Sequence, residues 1–446
     1  LAVRLAGAGR KVAIVERKLV GGTCVNNGCV PTKTLIASAR AAHVARTAAS
    51  FGVVVDGAVR VDMARVKARK DAVVAQSNNG VTQWLAGTPN VTLLHGHGRF
   101  EGPRTVSVGD RLLSAPQIFI NTGGRPTVPD WSGLSGIDYL TSTRMMEVDY
   151  LPEHLIVVGG SYIGLEFAQM FRRFGSRVTV VEMAPRLVAR EDDEVSAAIQ
   201  SILENEGIAV RLRATCLTVD KRADGIEVNV SCDEEPRRIA GSHVLLAVGR
   251  IPNTGDLGLD QAGVAVDARG YIAVDDELQT NVPGIFALGD VNGRGAFTHT
   301  SYNDYEIVAA NLLDGDRRRG ADRVPVYALF TDPPLARAGM TEREVRASGR
   351  PALVGHMPMK RVGRARERSE TQGFMQVLVD ADSRRILGAA LLGIEADEAI
   401  HCIIDVMASG LPYTAISRTV HIHPTVAELI PTLLGQLKPL AATPAA

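Results

Sequence analysis

One stretch fixes the fold class before anything else is read. Leu155-Ile156-Val157-Val158 is an unbroken apolar run. Gly159-Gly160-Ser161-Tyr162-Ile163-Gly164 follows, then Leu165-Glu166-Phe167-Ala168, and later Arg177-Val178-Thr179-Val180-Val181-Glu182. A buried strand, a glycine turn, a helix and a second strand make a βαβ unit of a parallel sheet. Such a turn can bring backbone close to a pyrophosphate at a helix N-terminus. Gly159 and Gly164 hold two of the expected glycine positions, and Ser161 stands at the middle one. Alone the turn is weak, because a plain packing turn reads the same way. Glu182 adds weight: it ends the second strand, 23 residues after Gly159. A carboxylate there bonds a ribose 2′-hydroxyl and repels a 2′-phosphate. This favours NADH over NADPH, with Arg186 and Arg190 close by as receivers of a phosphate.

The start of the chain reads as the second half of a similar unit. Leu1-Ala2-Val3-Arg4-Leu5-Ala6-Gly7 resembles the back of a helix, and Lys11-Val12-Ala13-Ile14-Val15-Glu16 a strand ending in an acid. The first strand and glycine turn of that unit are expected in roughly 15–20 residues that would precede this sequence. Strands and helices are expected to alternate to about Thr143, with a long helix over 63–85 and a strand-to-turn segment over 117–126. The second unit closes near 243–253, which includes Gly249, and the strand 284–290 comes much later. From Val324 the texture becomes strand-like, as in 373–379, with helices expected over 398–410 and 427–436. The expected fold is α/β: two Rossmann-like dinucleotide-binding domains and a C-terminal α+β domain. The boundaries are 1–145, 146–265, 266–323 as a return to the first domain, and 324–446.

Composition excludes several partners. Lys+Arg and Asp+Glu both number 49 in 446 residues, so the formal net charge is zero. Nucleic acid and anionic membranes are not expected partners. No apolar run approaches the ~20 residues a bilayer needs, and no secretory signal is visible. Five cysteines are too few for a disulfide scaffold. A cytoplasmic protein is expected.

The chemistry gathers in Gly21-Gly22-Thr23-Cys24-Val25-Asn26-Asn27-Gly28-Cys29-Val30-Pro31-Thr32-Lys33. Two cysteines five positions apart lie in a glycine-rich turn at the opening of a helix. The positive end of a helix dipole favours the thiolate, the form that attacks disulfides and binds soft metals. A zinc site would want a second Cys/His pair at finger spacing; Cys216, Cys232 and Cys402 are scattered singly. A structural disulfide is disfavoured by compartment. The pair reads as a redox dithiol, with no resident metal expected. Near the other end, Val420-His421-Ile422-His423-Pro424-Thr425-Val426-Ala427-Glu428 offers His423 with a carboxylate five positions on. That arrangement suits a base oriented by Glu428, although a lone histidine is usually an ordinary polar residue.

Taken together, Gly-Gly-Thr-Cys24-x4-Cys29-x3-Lys33, the second nucleotide turn, Gly289-Asp290 and His423-Pro424-Thr425-x2-Glu428 resemble the flavoprotein disulfide reductases. That family includes dihydrolipoyl dehydrogenase, glutathione reductase and mercuric reductase. The resemblance runs through essentially the whole chain. It implies FAD across the first half, with Glu16 on its ribose, and Gly22, Thr23 and Lys33 near its pyrophosphate and ring. It implies His97 and Gly98 near the adenine, Thr122 and Gly123 along the cofactor, Asp290 near the ribitol or pyrophosphate, and Thr298 near the isoalloxazine. Lys33 would pair with Glu166. Gly159, Ser161, Gly164, Glu182 and Gly249 would serve the nicotinamide nucleotide, and Tyr162 would cover its pocket. Cys29 would be the flavin-proximal thiolate, Cys24 the interchange thiol, and His423, held by Glu428, the base. A homodimer follows, because the base comes from the other subunit.

The resemblance narrows the branch less sharply. Mercuric reductases carry a C-terminal cysteine pair and lack the His-Pro pair; here the reverse holds. Yet Thr298-His299-Thr300-Ser301-Tyr302-Asn303-Asp304-Tyr305 and Met407-Ala408-Ser409-Gly410-Leu411-Pro412-Tyr413 differ from the usual dihydrolipoyl dehydrogenase segments. They resemble a mercuric-reductase-like branch. The acceptor is expected to be a small-molecule disulfide, with a soft metal ion, Hg(II) or Cu(II), as the alternative.

Overall fold

The computed structural model describes residues 1–223, 225–231 and 237–441; Cys232 lies outside them. The stretch that opened the sequence reading forms the centre of a five-stranded parallel sheet. Its order is Ala209–Arg211, Arg177–Val181, His154–Val158, His243–Leu246 and Leu140–Thr141. Leu155, Ile156 and Val157 are fully buried because both faces of the sheet are covered. The helix Tyr162–Phe174 packs Leu165, Phe167, Phe171 and Phe174 onto one side. The antiparallel sheet Thr215–Arg222, Gly225–Ser231 and Arg238–Gly241 packs against Ile156, Val158, Val244 and Leu246 on the other. Two glycines are required here. A Cβ on Gly164 would sit 1.9 Å from the carbonyl oxygen of Gly159, and one on Gly159 would sit 2.3 Å from that of Ala247.

The first half holds two parallel pairs. Val12–Glu16 pairs with Val91–His95, and Ile118–Ile120 with Ile285–Ala287. The helices Cys29–Thr47 and Met63–Gly87 connect the strands of the first pair. The expected alternation fails over Gly98–Gly102, Thr105–Val108 and Arg111–Ser114, which form an antiparallel meander. The two-residue link Gly109-Asp110, with Gly109 at φ +57°, is a hairpin turn rather than a route into a helix.

From Val326 to Pro439 a six-stranded sheet carries the C-terminal domain, with Phe374–Asp380 and Ile386–Leu392 at its centre. The expected helix over 398–410 is two pieces, Ala396–Ala399 and His401–Ala408. That over 427–436 is a 3₁₀ turn, Ala427–Leu429, and a short helix, Ile430–Leu434. Pro431 lacks an N–H and suits a helix start, so it breaks the segment. No helix among the described residues is long and apolar enough to cross a membrane.

An ionic junction ties the three parts together. Arg173 is 6% exposed; it pairs with Asp332 and donates to both oxygens of Glu206, at 2.7 and 2.9 Å. Arg40, on the long helix after the cysteines, donates to Asp332 at 2.6 Å and Glu370 at 2.7 Å. Removing one partner of a buried ion pair leaves the others uncompensated. Arg173→Met is therefore expected to destabilise the fold by about 3 kcal/mol. Urea unfolding checks this; an unchanged midpoint would show that the junction carries no stability.

Candidate active site

Cys24 and Cys29 sit on different elements. Cys24 lies inside the short helix Gly22–Asn27, and Cys29 is the first residue of the helix Cys29–Thr47. Gly28 between them is required, since a Cβ there would meet the carbonyl oxygen of Thr23 at 2.8 Å. Both cysteines are free thiols. Cys29 Sγ lies 3.2 Å from Thr298 Oγ1, and Lys33 follows one helical turn later.

The two sulfurs are electrostatically unequal. The Cys29 thiol is drawn from its ordinary 9.0 down to about 6, first by the hydrogen bond from Cys24. Burial opposes this shift, and the Thr298 hydroxyl and Lys33 ammonium add to it. Cys24 moves up, chiefly because it gives its proton to that bond, with burial adding to the effect. The pair is therefore poised as one thiolate and one thiol at neutral pH.

Lys33 is held in place by a carboxylate and a ring. Its Nζ lies 2.8 Å from both oxygens of Glu166, on the helix Tyr162–Phe174, and 4.4 Å from the centre of the Phe330 ring. The backbone N–H of Phe330 donates to Glu166 Oε1 at 3.0 Å.

Gly22 (φ +65°) and Gly123 (φ +66°) would meet nothing within 4 Å if given a Cβ, so backbone is bared at both. Glu16 ends its strand and accepts from the Lys18 N–H at 2.8 Å. Gly98 packs against that strand, its Cβ position 3.4 Å from Val15 Cγ1. His97 bonds the carbonyl of Asp256 at 3.0 Å. Thr122 donates to the Asn253 carbonyl at 2.9 Å. Asp290 starts a 3₁₀ turn with Gly289, and desolvation pushes its carboxyl upward although Arg250 is 3.9 Å away.

The second turn is built around Glu182. Its carboxylate accepts from the N–H groups of Gly160 at 2.6 Å and Ala184 at 2.8 Å. Ser161 precedes the helix and makes no side-chain cap. Gly249 (φ +120°) bonds Thr127 through its carbonyl. Tyr162, the first helical residue, donates to Glu191 at 3.0 Å.

Two family models cover the chain: pyridine nucleotide-disulphide oxidoreductase over residues 1–304, and its dimerisation domain over 326–434. The chain belongs to the pyridine nucleotide-disulphide oxidoreductases. It is 36% identical to the probable pyridine nucleotide-disulfide oxidoreductase RclA of Escherichia coli (strain K12), covering 98% of this chain and 96% of RclA. It is 35% identical to the mercuric reductase of Streptomyces lividans, covering 96% and 91%. It is also 35% identical to the dihydrolipoyl dehydrogenase of Thermus scotoductus, covering 96% and 92%. A solved Cu(II) complex of the HOCl-induced flavoprotein disulfide reductase RclA from Escherichia coli superposes with a TM-score of 0.89, at 35% identity and 98% and 97% coverage. As a pyridine nucleotide-disulphide oxidoreductase the chain is an FAD-dependent oxidoreductase that uses a pyridine nucleotide.

In the oxidoreductase's last motif the histidine faces outward. His423 Nδ1 and Glu428 Oε2 are 2.8 Å apart; the histidine side chain is 81% exposed and the glutamate 12%. Sequence reading missed four residues that shape these sites. Phe330 braces Lys33, Arg250 faces Asp290, Glu191 holds Tyr162, and Arg364 donates to the Pro424 carbonyl at 2.7 Å. Only Arg250 carried a signal, by directly following Gly249.

In the reduced protein, Cys24→Ala is expected to move the Cys29 titration from about 6 back toward 9, because the largest cause of its shift is removed. The thiolate exists above the midpoint, so near neutral pH the parent is mostly thiolate and the variant mostly thiol. Thiolate absorbance or alkylation rate against pH reads this. A midpoint that stays near 6 would mean the Cys24 bond does not set it.

Proposed function

We propose that this chain passes electrons from NADH through FAD to the Cys24–Cys29 pair and on to a small-molecule disulfide. The observation that carries the reading is the unequal dithiol beside Lys33. The residues fit FAD: the bared backbone at Gly22 and Gly123 suits a phosphate chain, and the half-buried Asp290 suits a hydroxyl donor. Glu16, Gly22, Thr23, Lys33, His97, Gly98, Thr122, Gly123, Asp290 and Thr298 would hold it. Bound there, FAD supplies two-electron transfer between nicotinamide and disulfide.

Gly159, Ser161, Tyr162, Gly164, Glu182 and Gly249 would receive the nicotinamide nucleotide. NADH is favoured over NADPH by Glu182 at the turn and by Arg186, which is already engaged by Asp193 and the Ala189 carbonyl. Lys33, braced by Glu166, would offer a positive charge to the reduced ring of a bound flavin, and it already acts on Cys29.

In disulfide exchange, the Cys24 sulfur attacks one sulfur of the acceptor disulfide and displaces the other as a thiolate. Cys24 holds its proton at rest, so attack needs a base. His423, oriented by Glu428, takes that proton and returns it to the departing thiolate. Cys29, already a thiolate, then attacks Cys24, re-forming the disulfide and releasing the second half as a thiolate, which takes its proton from water. We place the base in a homodimer, with His423 of the partner subunit serving each dithiol. The outward His423 supports this, as do the exposed apolar neighbours Val420 (96%) and Ile422 (80%). A reducing cytoplasm is the compartment such a dithiol suits.

A second reading has one observation behind it: the similarity to RclA, a solved structure of which is a Cu(II) complex. Thiolates are soft ligands, so Cu(II) or Hg(II) is a chemically sensible acceptor. Half-reactions separate the readings. His423→Ala is expected to cut disulfide turnover by about 10²–10⁴-fold while flavin reduction by NADH persists. NADH oxidation that responds only to metal ions, survives His423→Ala and is lost in Cys24→Ser would replace the disulfide reading with the metal one.

A further inference from the structure

Tyr162 is tied down at its far end. Its hydroxyl donates to Glu191 Oε1 at 3.0 Å, and the Tyr327 hydroxyl donates to the same oxygen at 2.6 Å. Arg337 holds the other oxygen, through Nε at 2.8 Å and Nη2 at 2.6 Å. Glu191 is 0% exposed and Arg337 1%. Burial pushes both phenols upward, so both remain donors to the carboxylate. The Tyr162 ring packs edge-on against Phe297 at 6.2 Å and Tyr327 at 5.5 Å. Phe297 stacks flat on Tyr327 at 5.6 Å and directly precedes Thr298, which touches Cys29. The cluster thus joins the nucleotide turn to the strands Val326–Leu329 and Leu335–Gly339 of the C-terminal sheet.

We propose that Glu191 is a positioning residue: a latch that holds Tyr162 closed until the nicotinamide displaces its ring. The inference rests on the reading that Tyr162 covers the nicotinamide pocket. The latch is built so that opening is affordable only on one side. When Tyr162 swings out, its hydroxyl finds water, while Glu191 keeps Tyr327 and Arg337 and no buried charge is stranded. Opening therefore gives up one charge-assisted hydrogen bond and the edge-on ring contacts. The apparent affinity for the nucleotide is reduced by the fraction of molecules that are open.

Two chemically identical substitutions then act in opposite directions. Tyr162→Phe keeps the ring and loses the latch bond, so the open fraction rises. Tyr327→Phe leaves Tyr162 as the only tyrosine hydroxyl on Glu191 Oε1, so opening strands that oxygen and the open fraction falls. General disruption of the cluster would weaken nucleotide binding in both.

The test is rapid-mixing reduction of the full-length, FAD-loaded protein by NADH, which yields an apparent Kd and a limiting rate. Tyr162→Phe is expected to tighten the apparent Kd about five- to ten-fold with little change in limiting rate. Tyr327→Phe is expected to weaken it several-fold. Equal values in all three proteins, or a shift of the same sign in both variants, overturns the latch. Tyr162→Ala separates the latch from the reading beneath it. If Tyr162→Phe matches the parent but Tyr162→Ala changes Kd or limiting rate, Tyr162 lines the pocket and the latch alone is wrong. If Tyr162→Ala also matches the parent, the pocket reading falls and the latch with it.

Discussion

Lys33 and Glu166 come from the two nucleotide-type halves, and their ion pair fixes how those halves meet. Glu166 is buried inside a helix whose other faces press into the parallel sheet, so its carboxylate has little room to move. Lys33 reaches it from the helix that begins at Cys29. The Phe330 ring and N–H close the arrangement from the edge of the C-terminal domain. A carboxylate this buried must be paired. The pair therefore sets the register between the dithiol helix and the nucleotide turn. Arg40, Arg173 and Asp332 repeat the logic a few turns along the same two helices. The ion pairs sit within apolar packing, in which Leu35 and Ala39 join Phe167, Met170 and Leu329 in one core, and they choose one geometry over near neighbours.

That geometry explains the inequality of the thiols. Cys29 opens its helix and has Lys33 one turn below, whereas Cys24 is the third residue of a separate short helix and is not shifted by the lysine. The hydrogen bond between them then amplifies the difference, since the sulfur that accepts is stabilised as the anion and the sulfur that donates is stabilised as the acid. A pair with equal surroundings would share the proton and present neither a ready thiolate nor a defined thiol.

How much of this the sequence disclosed depends on the range of the interaction. The turn from Gly159 to Gly164 was legible because its constraint is local: the Cβ positions collide with backbone a few residues away or across one strand. The cysteine pair was legible through its spacing and its place before a helix, although its division between two helices was not. The pair of Lys33 with Glu166 spans 133 positions and was reachable only by family resemblance. Arg173 was not legible at all, since an arginine on an amphipathic helix ordinarily faces solvent. The meander over Gly98–Ser114 and the break at Pro431 were misread for a smaller reason. Each turns on one residue, Gly109 or Pro431, whose local geometry outweighs the pattern around it.

The same dithiol can serve two acceptors, but its proton inventory treats them differently. A disulfide needs one nucleophilic sulfur at a time: Cys24 must shed its proton to attack, and Cys29 needs nothing. A base with an oriented imidazole, such as His423 on Glu428, answers that single requirement. A soft metal ion held by both sulfurs needs both as thiolates together, so binding must expel the Cys24 proton. The ion's own charge supplies the drive for that, with no base required. Under the proposed reading His423 and Glu428 would have a chemical task in disulfide exchange and none in two-thiolate metal capture. Their intact pairing, with Glu428 12% exposed and bonded at 2.8 Å, is the feature on which the proposal of a disulfide acceptor leans.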